Sequence, residues 1–215
     1  YNTLGGTCLN VGCIPSKAMI TAAHNLHKAQ HDFAQMGLII QNPVTVDMKK
    51  LVTWKQSVCD RMSNGVSGLL KGNSVTVIKG VAEFTSPNEI QVKGANETTQ
   101  VVGKNFIIAT ESRPIEIPGF PFDEKSICSS TGALNFDQVP KNVVTIGGGY
   151  IGLEISSYLQ KLGSQVHVVE AQSALLAGVV DNECAQVVAK RLQKSGVQVY
   201  LNAKAKGQKQ LPSGD

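Results

Sequence analysis

The sequence is poor in aromatic residues (5%) and in charge (17%). So few rings leave no stacking platform for nucleic-acid bases. The net charge of +4 comes from 20 basic and 16 acidic residues, with no dense Lys/Arg block. The basic stripe of a nucleic-acid-binding surface is therefore lacking too, and no nucleic-acid partner is expected. Lys204, Lys206 and Lys209 cluster near the end and read as a solvated tail. No apolar run reaches the roughly 18 residues of a membrane span, so no membrane partner is expected. Internal repeats and low-complexity segments are absent. Low charge beside 42% hydrophobic residues argues against disorder. What is there is a chain of 215 residues. At about 150 residues per domain, that is one large domain or two small ones, with a sizeable core.

Apolar spacing predicts a helix from Cys13 to about Phe33, striped by Ile14, Ala18, Ala22, Leu26, Ala29 and Phe33. A second helix is predicted from about Asp47 to Leu70, striped by Leu51, Trp54, Val58, Met62, Val66 and Leu69. Short β-like runs follow at 75–78, 81–84, 90–92 and 99–102, punctuated by turn residues. Phe106 to Ala109 reads as a buried strand. Pro114, Pro118 and Pro121 then mark a stiff connector and a domain boundary. Beyond it, strands at 143–146, 165–169 and 197–201 alternate with helices at about 150–162 and 181–194. Gly163 and Gly196 sit where helix C-terminal caps belong. Such alternation implies a parallel sheet with right-handed crossovers.

Gly147-Gly148-Gly149-Tyr150-Ile151-Gly152 matches G-x-G-x-x-G between a strand and an amphipathic helix. That context is what a dinucleotide site requires. Gly147 suits the tight turn, Gly149 the approach of a pyrophosphate, and Gly152 close helix–strand packing. The phosphates would meet the positive end of the helix. Glu170 lies 21 residues beyond Gly149, near the usual offset of about 20. Its carboxylate suits ribose hydroxyls and repels a 2′-phosphate, which favours NAD over NADP. The bland alternative is a glycine-rich turn with a solvated Glu at a strand end.

Cys8 and Cys13 stand five apart, an uncommon spacing for zinc. Along a regular helix they would be separated by about 7.5 Å, whereas a disulfide rarely tolerates more than about 6.8 Å between Cα atoms. A bond therefore needs a distorted helix start, for which Gly12 and Pro15 are suitable agents. Such a bond would be reducible. A helix start also favours thiolate, as would Lys17, one turn from Cys13 on the same face. The pair is either a redox couple or two buried structural cysteines. Cys59 follows Val58 in a helical pattern and is expected in the core or at its boundary. His24, His27 and His31 have helical spacing and read as a solvated face, with no metal site assigned.

Gly5-Gly6-Thr7-Cys8-Leu9-Asn10-Val11-Gly12-Cys13-Ile14-Pro15-Ser16-Lys17 resembles the redox-active segment of the flavin-dependent pyridine nucleotide disulfide oxidoreductases. The resemblance runs through essentially the whole chain. It implies an α/β fold with a partial FAD-binding domain at 1–113 and a partial Rossmann-like NAD-binding domain at 114–215. It also implies an enzyme with FAD and NAD as cofactors. Within the family the cysteine motif is most similar to members that oxidise dihydrolipoyl groups. Mercuric-ion reducers are nearer rivals than glutathione reducers. A non-catalytic module that holds NAD is the reading from a different class.

The resemblance implies roles residue by residue. Cys13 is matched to the thiol beside the flavin, and Cys8 to the interchange thiol. Lys17 is matched to the lysine near the flavin ring, and Glu154 to the glutamate that pairs with it on the nicotinamide side. Gly6 and Thr7 are matched to flavin-contacting loop positions, Thr110 and Ser112 to a strand-end contact, and Ala82 to a backbone contact. Ala205 is matched to the adenine pocket. The implied partners are a second copy of the chain and the lipoyl domains of 2-oxo acid dehydrogenase complexes. Bacterial cytoplasm and mitochondrial matrix both suit a disulfide kept in turnover. One departure stands out: Glu111 occupies a position where the family has Gly. Its bulk, charge and narrower φ range predict weakened flavin retention. The chain also begins Tyr-Asn-Thr without an initiator Met and ends near Leu211–Asp215. The family's upstream flavin unit and C-terminal interface domain have no counterpart in the chain, so an internal fragment is expected.

Overall fold

Helix-forming stripes and a single glycine break organise the first third of the chain. The computed structural model describes residues 3–209, so the Leu211–Asp215 end lies outside the described residues. Helix α1 (Gly6–Val11) and helix α2 (Cys13–His27) are separated only by Gly12. The helical path runs on from α2 as a π-helical turn (Lys28–Asp32) and a 3-10 turn (Phe33–Met36). Phe33 is thus reached as expected, though the regular helix stops at His27. Helix α3 (Met48–Gly72) starts where the Asp47 side chain accepts from the Lys50 N–H at 3.1 Å, an N-cap that satisfies one orphan donor.

Both predicted stripes need rotating by about one residue. In α2 the most buried positions are Met19 and Ala23, one step beyond Ala18 and Ala22. In α3 they are Met48, Lys55 and Cys59, while Trp54 is 46% exposed. A lysine takes the inward position because its ammonium finds acceptors there: Leu134 O at 3.3 Å and Asn135 Oδ1 at 2.7 Å. Cys59 is buried, as expected.

Strands β1 (Val81–Ser86), β2 (Glu89–Lys93) and β3 (Thr98–Val102) form an antiparallel meander. The runs at 75–78 and 106–109 are not strands. Ile107 is 94% exposed, not buried. Among the described residues no extended segment pairs with either run, and a strand without a ladder has its N–H and C=O groups unanswered. Irregular chain through the three prolines leads to a short helix α4 (Ser130–Ala133).

The second sheet is parallel, with β4 (Asn142–Ile146), β5 (Gln165–Val169) and β6 (Gln198–Tyr200) in that order. Helices α5 (Tyr150–Leu162) and α6 (Asn182–Lys194) make the two crossovers. Their bounds fall within a residue of the predicted ones, and Gly163 caps α5. The core is shared: Met19 and Ala23 of α2 join Leu153, Tyr158, Leu159 and Leu162 of α5 and Val166 and Val168 of β5. The Tyr158 hydroxyl donates to Ala133 O, which ties α4 into the same core.

Candidate functional site

The cysteine end is built by Gly12. A Cβ there would stand 3.0 Å from Thr7 O and 3.3 Å from Cys8 Cα. Only glycine tolerates that approach without displacing backbone. The break replaces the axial separation of a continuous helix and brings Cys13 near enough to Cys8 to raise its pKa. Both are exposed free thiols, which removes the alternative of two buried structural cysteines. The hydrogen bond to Cys13, then burial, raises the Cys8 pKa, and Lys17 only partly opposes this. The expected easing of thiolate formation at a helix start is therefore reversed at Cys8, where the neighbouring Cys13 outweighs the helix end.

Lys17 does not present a lone cation to the thiols. Its Nζ lies 2.5 Å from Glu154 Oε1. Ser16 Oγ donates to Cys13 O at 3.1 Å and reaches Glu154 Oε2 at 3.4 Å. Lys17 and Ser16 sit on α2, Glu154 on α5. The pair thus bridges the cysteine helix and the helix that opens at the glycine turn. Ser16 was missed from sequence; only its place one turn after Cys13 hinted at it. Asn10 was missed as well: its Nδ2 donates to Gly6 O at 2.8 Å and braces α1.

At the other end, Gly147 (φ +105) turns the chain out of β4, and its N–H donates to Val169 O at 2.8 Å. A Cβ on Gly152 would lie 2.7 Å from Gly147 O, so helix and strand pack as the motif predicts. Beside Gly149 a Cβ would meet nothing within 4 Å, leaving the first turn of α5 open. Tyr150 and Ile151 begin that turn and are exposed. Glu170 Oε2 accepts from Gly148 N–H at 2.6 Å and Oε1 from Gln172 N–H at 2.7 Å. The carboxylate is pinned over the glycine turn, and each oxygen keeps a further lone pair for a hydroxyl. An open glycine turn at a helix start with a fixed carboxylate beside it fits an adenosine dinucleotide.

Gly6 (φ +63) and Thr7 open α1, but the Thr7 donors are engaged. Thr7 N–H and Oγ1 both donate to Glu111 Oε2, each at 2.5 Å. A backbone N–H and a hydroxyl converging on one anionic oxygen also suit a phosphate, so the donor chemistry fits a flavin nucleotide. Here a residue of the chain holds it. Thr110 and Ser112 flank Glu111 on exposed, irregular chain rather than at a strand end. Ala82 lies on β1 and Ala205 on irregular chain past β6. Thr110 and Ser112 stand on either side of the residue whose carboxylate reaches Thr7. The His27 and His31 rings lie 4.5 Å apart, and among the described residues no group of three or more His, Cys, Asp or Glu is placed to hold a metal ion.

The comparisons with known proteins match this geometry. The chain is 46% identical over 211 residues to dihydrolipoyl dehydrogenase from Geobacillus stearothermophilus, covering 98% of the chain and 44% of that protein. It is 44% identical over 205 residues to the mitochondrial dihydrolipoyl dehydrogenase of Pisum sativum, covering 95% of the chain and 40% of that protein. The chain thus spans less than half the length of these relatives. Among solved structures it is similar to the Cu(II) complex of the HOCl-induced flavoprotein disulfide reductase RclA from Escherichia coli. That likeness has a TM-score of 0.77 and 27% identity over 98% of this chain and 44% of the other. LpdA from Mycobacterium tuberculosis shares the fold, with a TM-score of 0.84 at 21% identity over 98% of this chain and 46% of the other. A family model described as pyridine nucleotide-disulphide oxidoreductase matches residues 1–213. The chain belongs to that family.

Proposed function

We propose that this chain is part of a dihydrolipoyl dehydrogenase, which oxidises dihydrolipoyl groups and reduces NAD to NADH. The observation that carries the reading is the pair of exposed cysteines on either side of Gly12, beside an ion pair that joins the Cys13 helix to the glycine-turn helix. In the oxidised form Cys8 and Cys13 share a disulfide. A dihydrolipoyl thiolate attacks Cys8 Sγ, the Cys8–Cys13 bond breaks, and Cys13 leaves as thiolate. The second lipoyl thiol, deprotonated, then displaces Cys8, which closes the lipoyl disulfide and leaves two protein thiols. FAD held at Gly6 and Thr7 would supply the two-electron carrier between the dithiol and NAD. Gly6, Thr7, Lys17, Ala82, Thr110 and Ser112 are the proposed flavin contacts. Gly147 to Gly152, Glu154, Glu170 and Ala205 are the proposed NAD contacts. Lys17 and Glu154 fix each other, so a cation and a carboxylate stand where the two halves meet.

The reading divides the chain into a flavin half at 1–113 and an NAD half at 114–215. Its partners are a second copy of the protein and the lipoyl domains of 2-oxo acid dehydrogenase complexes. It places the protein in bacterial cytoplasm or the mitochondrial matrix. No helix among the described residues is long and apolar enough to cross a membrane. The test is NADH formation from NAD and dihydrolipoamide by the full-length protein, followed by absorbance. Steady turnover that stops in Cys8→Ser and Cys13→Ser is the expected result. Activity on mercuric ion with none on dihydrolipoamide overturns the reading.

A further inference from the structure

Glu111 has a backbone, a side chain and a position that all conflict with an ordinary surface role. Its φ is +65, a left-handed conformation that glycine adopts freely and a glutamate does not. Its carboxylate reaches back across the sequence to the start of α1, where Oε2 takes both Thr7 donors. Oε1 occupies the space left by the missing side chain of Gly6; a Cβ there would stand 1.6 Å away. Glu111 therefore fills the Gly6–Thr7 loop sterically and answers its donors electrically. The segment that carries it, 103–116, has no regular structure, so the carboxylate can leave without breaking a helix or a strand ladder.

We propose that Glu111 is an internal competitor for the anionic phosphate linkage of the flavin nucleotide, a carboxylate plug that must swing out before the cofactor seats at Gly6 and Thr7. This rests on the flavin reading of that loop. Both ligands satisfy the same N–H and hydroxyl, so they exclude each other. A phosphate brought near a retained carboxylate also meets like charge at close range. The plug thus sets flavin affinity through charge as well as bulk. Removing the charge alone recovers part of the affinity, and removing the side chain recovers more.

The experiment is flavin titration of the full-length apoprotein, read by quenching of FAD fluorescence. The unsubstituted protein is compared with Glu111→Gln, Glu111→Gly and the double variant Glu111→Gly with Thr7→Ala. NAD binding, titrated in each, checks that the nucleotide half is intact. Glu111→Gln is expected to bind FAD about tenfold more tightly, and Glu111→Gly more tightly still. The double variant is expected to lose most of that gain, because Thr7 then lacks one donor. Riboflavin, which has no phosphate, is expected to gain little from Glu111→Gln. If the unsubstituted protein binds FAD and neither single variant binds it more tightly, the plug is overturned and the flavin reading stands. If none of the proteins binds FAD while all bind NAD, both the plug and the flavin reading of Gly6 and Thr7 are overturned.

Discussion

At the residue scale the chemistry depends on which proton sits where. Cys8 has its pKa raised chiefly by the hydrogen bond to Cys13. A raised thiol pKa means less thiolate at neutral pH, so Cys8 in the dithiol is slower to alkylate than an ordinary exposed cysteine. In Cys13→Ala the largest cause is gone, and Cys8 alkylation at neutral pH is expected to speed up. Mass-spectrometric mapping of iodoacetamide adducts at several pH values checks this; an unchanged profile means the contact does not control the thiol. Lys17 and Glu154 make a different kind of pair. Both are partly exposed, so the pair itself is worth roughly 0–1 kcal/mol. Glu154→Gln is expected to leave the melting temperature nearly unchanged yet to cut dithiol-driven NADH formation about tenfold or more. A large loss of stability instead would make the pair a structural clamp. The cysteines, Lys17 and the glycine turn were legible in the sequence because their motif spacing is tied to backbone geometry. Glu111 was legible only as a departure. That its carboxylate reaches Thr7, 104 residues away, follows from tertiary placement that no local pattern encodes.

Elements show where pattern reading succeeds and where it stops. β4, α5, β5 and α6 were readable to within about a residue because each has its partner close in sequence and its period is unbroken. The apolar runs at 75–78 and 106–109 have strand composition, but strand formation depends on a ladder partner that composition cannot supply. The stripe of α3 was misplaced because reading by hydrophobicity puts Trp54 inside and Lys55 outside. Two acceptors from the segment after α4 reverse that order. Burial pushes the Lys55 pKa down. Between its folded value and the unfolded one of about 10.4, the unfolded chain binds more protons, so Lys55 makes stability rise with pH in that window. Lys55→Met is expected to remove this upward slope. It also costs about 1–3 kcal/mol at all pH values, because Leu134 O and Asn135 lose their donor. Urea unfolding at pH 8 and pH 10 separates the two effects, since only the slope belongs to the titration. Gly12 is the corresponding test for α1 and α2. Gly12→Ala forces backbone apart at Thr7 and Cys8, with an expected cost of about 1–3 kcal/mol. Oxidation to the Cys8–Cys13 disulfide, followed by thiol counting, is expected to slow in that variant.

The molecule as a whole joins the cysteine helix and the glycine-turn helix through one core. The cysteine helix α2 packs on α5, the helix that opens at the glycine turn, and Met19 and Ala23 are fully buried in that contact. A boundary at the proline connector, read from sequence, divides the chain but does not divide this core. The physical reason is that α2 has an apolar face and its nearest large apolar surface belongs to the nucleotide half. Dithiol and dinucleotide turn are therefore expected to lose their structure together. Trp54 on α3 reports the cysteine half, and NAD binding reports the nucleotide half. In urea the two signals are expected to share one midpoint. Met19→Ala removes a fully buried side chain from the joint core, at an expected cost of about 2–5 kcal/mol, and is expected to move both midpoints equally. Two separated transitions, with only the Trp54 signal moved by Met19→Ala, would show that each half folds alone and that the proline connector, not the α2–α5 contact, sets the organisation of the chain.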